Sequence, residues 1–243
     1  MALTGTDRGT GGNNTTATSV TISPNANFAY NSMGVICIGY DNAGSSGADP
    51  FSAISDSLGN LWTSRVNSLN DPGAASAGSV LRIFTSNMNH GPLTTGTVVT
   101  ISFGAVSVVA KAITIMEINA ASGFYPAFTT NGSATSTTTT STVTTGTINI
   151  GEMTVGAFGG EGNSTKTPDS DTTNGTWSTA QQTAFGTTTS GVQVLSQRKV
   201  QTTANSTQTF NITLATASDG NIGYVVLRET RLNQAESYFI FLD

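Results

Sequence analysis

The sequence predicts an all-β protein made of two tandem β-sandwich units, jelly-roll or Ig-like, related by internal duplication. Three observations carry this. Threonine occurs 43 times and glycine 27 times, while charged residues make up 9% of the 243 residues, against roughly 25% in an ordinary domain. Thr favours pleated strands through its branched Cβ, and Gly, Asn and Ser supply turns. Apolar residues alternate with polar ones in "TVVTISF" (97–103) and "TFNITL" (209–214), the period of strands with one buried face. Finally, the order of patterns in the first half recurs in the second.

The elements follow in chain order. Residues 1–17 are rich in Gly, Thr and Asn and poor in apolar residues, which reads as a flexible or partner-ordered arm. The first unit, 18–121, opens on the Thr/Val strand "SVTI". It continues into "GVICIGY", whose near-continuous apolar run suits a central strand packed on both sides. A strand–turn–strand pattern over 79–103 follows, and "VVAKAITIMEIN" (108–119) closes the unit. Residues 122–147 contain the low-complexity run "TTNGSATSTTTTSTVTTGT". They read as a linker or as an exposed Thr-rich strand. The second unit, 148–230, repeats the scheme and closes on "GNIGYVVLRET". Residues 231–243 form an apolar C-terminal tail ending in "YFIFLD"; "NQAESYFIFL" within it suits a short helix or a strand. No other window shows a helical stripe.

A shared motif marks the repeat. "SDSLGNLWT" (55–63) and "SDTTNGTWS" (170–178) each place a Trp six residues after an Asp with a Gly between, and Trp62 and Trp177 are the two tryptophans of the chain. The turn Gly59-Asn60, like Asn174-Gly175, predicts positive φ at a hairpin tip, after which the Trp packs inward. The functional alternative makes these loops a platform on which a Trp stacks against a sugar ring. Both closing strands end in Glu, Glu117 and Glu229, which lie 55 and 52 residues after their tryptophans; this places them as equivalent positions on separate units, not as a catalytic pair. The period, roughly 110 residues, suits a domain rather than a solenoid repeat.

Composition and motifs exclude several classes. With nine Lys and Arg and a net charge of −5, the chain has no electrostatic footprint for nucleic acid. No apolar run approaches the ~20 residues that span a bilayer, and the N-terminus lacks the pattern of a signal peptide. The single Cys37, in "MGVICIGY", reads as a small buried hydrophobe. The lone His90 sits in a turn, without the context of a nucleophile, and one Cys with one His is too few for zinc. Asp41, Asp49 and Asp56 lack the spacing of a calcium loop. "GGEG" (159–162) has no Lys to make it a phosphate loop. No catalytic residue, cofactor or metal is expected, and the protein is read as a non-enzyme.

The run "D-x-x-G-N-x-W" (56–62), a strand from Ile83 to Asn87 or Asn89, a Gly-punctuated turn, "TVVTISF" and the closing "AITIMEI" resemble a recurrent β-sandwich unit of tailed-phage virion proteins and of some bacterial surface proteins. The resemblance covers 19–119, and more loosely 142–230, where Asn174-Gly175 replaces Gly59-Asn60. It implies a structural virion protein, a capsid decoration (cement) protein that stabilises the head, or the alternative of a carbohydrate-binding module of a tail fibre or adhesin. It further implies assembly in the host bacterial cytoplasm, residence in the virion, contact with capsid or other virion proteins, and a homo-oligomer, a trimer above all. Trp62, Trp177, Tyr238, Phe239 and Phe241 are the residues expected to touch a partner or a surface glycan.

Overall fold

The structure, a computed structural model, describes residues 2–41, 49–70, 78–187 and 191–231, all of them strand, turn or loop. The first half contributes eight strands: β1 (Thr4–Asn13), β2 (Ser19–Ile22), β3 (Met33–Asp41), β4 (Ala53–Asp56), β5 (Thr63–Asn70), β6 (Ser79–Ser86), β7 (Val99–Ser102) and β8 (Lys111–Asn119). They form a five-stranded sheet ordered β1-β8-β3-β6-β5 and a three-stranded sheet ordered β2-β7-β4. The second half also contributes eight: β9 (Phe124–Ser136), β10 (Thr140–Thr144), β11 (Met153–Glu161), β12 (Lys166–Thr167), β13 (Gln181–Phe185), β14 (Val192–Val200), β15 (Thr209–Leu214) and β16 (Gly220–Arg231). Their sheets run β9-β16-β11-β14-β13 and β10-β15-β12, so every strand takes the place its counterpart holds in the first half. All pairings are antiparallel.

Each half is a sandwich with its own core. In the first, Ile36, Ile38, Tyr40, Phe84 and Ile113 of the large sheet meet Val20, Ile22, Val99 and Ile101 of the small one. In the second, Phe158, Leu195 and Ile222 meet Phe210, Ile212 and Leu214, with Trp177 among them. A third core lies between the halves, where the two large sheets pack face to face. It takes Val35 and Cys37 of β3, Leu81 and Ile83 of β6, Val155 and Ala157 of β11, and Val194 and Val225 from β14 and β16. The molecule is therefore four sheets deep. Alternate side chains of β3 enter different cores, which is why the whole of "MGVICIGYD" is buried and why its sequence shows no polar face.

The facing of strands is reciprocal. β6 packs on β11 as β14 packs on β3, β16 on β5 as β8 on β13, and β9 on β5 as β1 on β13. This is the rule of a two-fold interface, in which one surface meets its own equivalent. Hydrogen bonds fix the register. Thr114 and Ser196 join by their hydroxyls at 2.8 Å. The fully buried Asn221 donates to the carbonyl of Ser79 (2.9 Å) and accepts from Ser68 Oγ (2.9 Å). Asn70 Nδ2 donates to the carbonyls of Ser136 (2.9 Å) and Gly220 (3.2 Å).

Two expectations are corrected. The segment 1–17, read as a flexible arm, holds strand β1, which pairs with β8 from Thr4↔Asn119 to Asn13↔Lys111; Ala17 then bridges Val108. Its Gly and Thr residues need no apolar face of their own, because the backbone ladder and the neighbouring β13 hold the strand. At a bulge between Asp7 and Gly9, Arg8 turns to pair with the buried Glu117. The segment 122–147, read as a linker or an exposed Thr-rich strand, is not a linker: it contains β9 and β10, which pair with β16 and β15. The second set of strands thus begins at Phe124 and not near 148. The C-terminal stretch with Tyr238, Phe239 and Phe241 lies outside the described residues.

Candidate functional site: the loop end and edge clefts of the two units

In the first unit Asp56 ends β4 and organises the turn that follows. Its Oδ1 accepts from the backbone N–H of Leu58 (2.9 Å) and Asn60 (3.2 Å), and its Oδ2 accepts from Trp62 Nε1 (2.8 Å). Gly59 takes φ 81°, which a side chain would resist. Asn60 then ties this turn to the β6–β7 loop, donating to the Gly91 carbonyl (3.1 Å) and accepting from His90 N–H (2.7 Å). Asn89 Oδ1 accepts from Leu61 N–H (3.0 Å). Trp62 is half-buried against the sandwich core, and its ring lies against Gly34, where an added Cβ would sit 2.9 Å from it. The motif is a turn lock, with part of the indole left at the surface.

In the second unit the same spacing is wired differently. Asn174 and Gly175 have φ of 62° and 130°, as the turn chemistry predicts. Asp171, however, bonds Lys199 Nζ (2.7 Å), not the indole. The ammonium lies 5.4 Å from the centre of the Trp177 ring, a cation–π contact. Hydrogen bonds from Lys199 and from Thr173 N–H hold the Asp171 carboxyl down to about 2. Trp177 is buried at 6% exposure and stacks at a tilt on Phe210, ring centres 4.9 Å apart. The expectation of two inward tryptophans therefore fits Trp177 fully and Trp62 in part. Neither is an open stacking platform.

The loops around Trp62 carry what the sequence reading missed. β2–β3, β4–β5 and β6–β7 all open at the end where β3 starts and β6 stops, since Gly34 pairs with Ser86 and Thr63 with Thr85. Here Tyr30 is 83% exposed, Leu61 71%, and Leu58 and Val98 40% each. Ser57 N–H donates to the Val98 carbonyl (3.0 Å), which joins Leu58 and Val98 into one rim. Each residue is unremarkable in the sequence; loop convergence is what groups them.

On the other face of the large sheet, at the β5 edge, a cleft of about 280 Å³ is lined by Leu61, Thr63, Arg65, Thr85, Asn87 and Asn89. A cleft of about 390 Å³ occupies the matching place on the second unit, where Thr176, Ser178, Arg198, Val200 and Thr202 line it with Leu3, just before β1, and Gly5 of β1.

The remaining candidates have structural partners. Burial pushes the Cys37 thiol up to about 12, so it is an inert core residue. His90 is exposed in its turn. Glu117 is fully buried and receives Arg8 and the N–H of Ala29 (2.5 Å). Glu229 accepts from Ala121 N–H (2.9 Å). The two glutamates are not register equivalents: Glu117 pairs with Gly34, whereas Val226 pairs with Thr154, the corresponding residue of β11. Asp49 joins Tyr40 and Arg82 (Oδ1 to Tyr40 Oη, 2.6 Å; Oδ2 to Arg82 Nε, 3.0 Å), and Arg82 lies over Phe51. Asp41 is buried at 7% exposure and accepts from Ala110 N–H (3.1 Å); desolvation first, with Glu161 nearby, raises its carboxyl to about 7. Among the described residues no three His, Cys, Asp or Glu side chains are grouped to hold a metal ion.

Comparisons with protein-family models, with curated proteins and with solved structures find no match to this chain.

Proposed function

We propose that the protein is a structural component of a tailed-phage virion, a decoration protein that caps and stabilises the head. The observation that supports this best is the set of exposed apolar residues Tyr30, Leu58, Leu61 and Val98 on the three loops at one end of the first sandwich. An apolar rim set on hydrogen-bonded loops is a surface for association, and burial against neighbouring shell subunits stabilises the assembly by mass action. Homo-oligomerisation, with a trimer favoured, would use the same chemistry.

The fold supports the reading as well. Strand order 1-8-3-6 in one sheet and 2-7-4 in the other supports reading each half as an eight-stranded jelly roll, an architecture of capsid and lectin domains, with the fifth strand moved to the large sheet. Its recurrence along the chain, with reciprocal packing, is what gene duplication of a dimerising unit would leave behind.

The test is to replace Tyr30 and Leu61 together by Ser and measure binding to purified heads stripped of the protein. Binding weakened by about tenfold or more, with unchanged thermal melting, supports the proposal; each lost apolar contact is worth on the order of 1–2 kcal/mol. Unchanged binding, or absence of the protein from the head in low-resolution images of the particle, overturns it.

A further inference from the structure

The two edge clefts are built alike but charged differently. In the cleft of the second unit, Arg198 is neutralised by Asp7, which β1 brings across from the first unit. Asp7 pairs with Met116, which in turn pairs with Val35 of β3. The matching residue of β9 is Asn131, which pairs with Val225, itself opposite Val155 of β11. An amide therefore stands where the other cleft has a carboxylate, and Asn131 Nδ2 donates to the carbonyl of Arg65 (2.5 Å).

Arg65, on β5, is not the register counterpart of Arg198, which stands at the place of Thr85; it too lines its cleft, and among the described residues it has no acid partner. Its Nε donates to Thr85 Oγ1 (2.9 Å), and its guanidinium carbon lies 4.1 Å from the centre of the Phe128 ring. Its two Nη groups make no hydrogen bond or ion pair among the described residues. Stacking covers one face of the guanidinium and leaves its edge, the fork that matches a carboxylate with two parallel hydrogen bonds. Around this fork stand groups suited to hydroxyls: Thr63, Asn87, and the Nδ2 of Asn89, whose Oδ1 is already engaged. Leu61 supplies an apolar ridge for the C–H face of a ring. The volume, about 280 Å³, falls at the lower end of small-ligand clefts.

We propose that this cleft binds a carboxylate-bearing sugar, a uronic acid or a sugar acid of similar form, with Arg65 holding the carboxylate and Thr63, Asn87 and Asn89 the ring hydroxyls. The site adjoins the apolar rim through Leu61, which lines both, so Arg65, which is no part of the rim, is the residue that tests the cleft alone.

The test is calorimetric titration of the full chain with methyl glucuronide, methyl glucoside, acetate and inorganic phosphate. Saturable binding of the glucuronide is expected, with none of the glucoside. Arg65→Gln should weaken it by about tenfold or more, the worth of a charged hydrogen bond. Arg65→Lys, which keeps the charge and loses the fork, should recover only part. Asn131→Asp, which restores the acid of the sister cleft, should also weaken binding; melting curves check that each variant folds. The proposal is overturned if the glucuronide does not bind, if Arg65→Gln leaves its affinity unchanged, or if acetate or phosphate binds as tightly, which would make the cleft a general anion site.

Discussion

Gly39 and Gly159 hold the same place in β3 and β11 and meet across the interface between the two large sheets: a Cβ added to either would lie 3.3 Å from the Cα of the other. They mark the centre of the reciprocal packing, where an element meets its own counterpart and the least side chain allows the closest approach.

Gly39→Ala tests this centre. The new methyl would also meet the backbone carbonyl of Gln193 at 2.8 Å, which cannot rotate away as a side chain can. Overpacking of this kind costs about 1–3 kcal/mol. The loss is expected in urea denaturation, while Gly146→Ala, at a site with nothing within 4 Å of the added Cβ, should change stability little.

Asn221→Leu should be among the most damaging polar substitutions. Asn221 is fully buried and serves Ser79 and Ser68 across the interface. Its removal strands the Ser79 carbonyl and the Ser68 hydroxyl in a dry setting, at about 2–4 kcal/mol. A drop in denaturation midpoint with unchanged slope would fit; a neutral result would mean that water reaches this network.

Stability should fall as pH rises from about 4 to about 7. Burial raises the Asp41 carboxyl to about 7 in the folded chain, so over this window the native state binds more protons than the unfolded one, and deprotonation favours unfolding. Glu161 and Asp219, also raised by burial, add to the same slope. Asp171 acts oppositely: held at about 2, it contributes stability above its ordinary value that is lost as pH falls toward 2. Asp41→Asn should flatten the upper slope in melting curves recorded from pH 4 to 8 and leave the acid limb in place.

Tryptophan emission should separate the two motifs. Trp62→Phe leaves the buried Trp177, so emission should be blue-shifted and resist iodide. Trp177→Phe leaves the half-buried Trp62, which should be redder and more readily quenched. Asp56→Ala should redden Trp62 further, since it removes the indole partner and two backbone caps, and should cost about 1–3 kcal/mol. Equal quenching of both single-tryptophan variants would contradict this geometry.

The strands of each sandwich were legible because their signal is local. Alternation in "TVVTISF" and "TFNITL" and the Gly and Asn turns report on the residue and its neighbours alone. β1 and β9 were not legible as integral strands. The Gly- and Thr-rich β1 carries no apolar stripe, the apolar start of β9 (Phe124–Phe128) gives way to a polar run, and both are held at sheet edges by ladders to β8 and β16. The Glu117–Glu229 spacing misled for a related reason: a bulge or an extra residue shifts register without changing the look of a sequence.

Of the candidate sites, the tryptophans stood out by rarity, and the structure makes them largely packing and turn-locking residues. Arg65 did not stand out, because what distinguishes it is that no acid among the described residues pairs with it, and pairing across strands is not visible in local sequence.

By itself, then, the sequence determined an all-β chain rich in hydroxyls and amides, its Gly and Asn turns and the strands that alternate apolar with polar residues, all short-range properties of composition and period. Tertiary structure alone decided that the halves pack large sheet on large sheet, that a further core forms between them, and which charges are paired. Those outcomes depend on contacts between residues far apart in the chain, where shape and burial, not local pattern, set the energy.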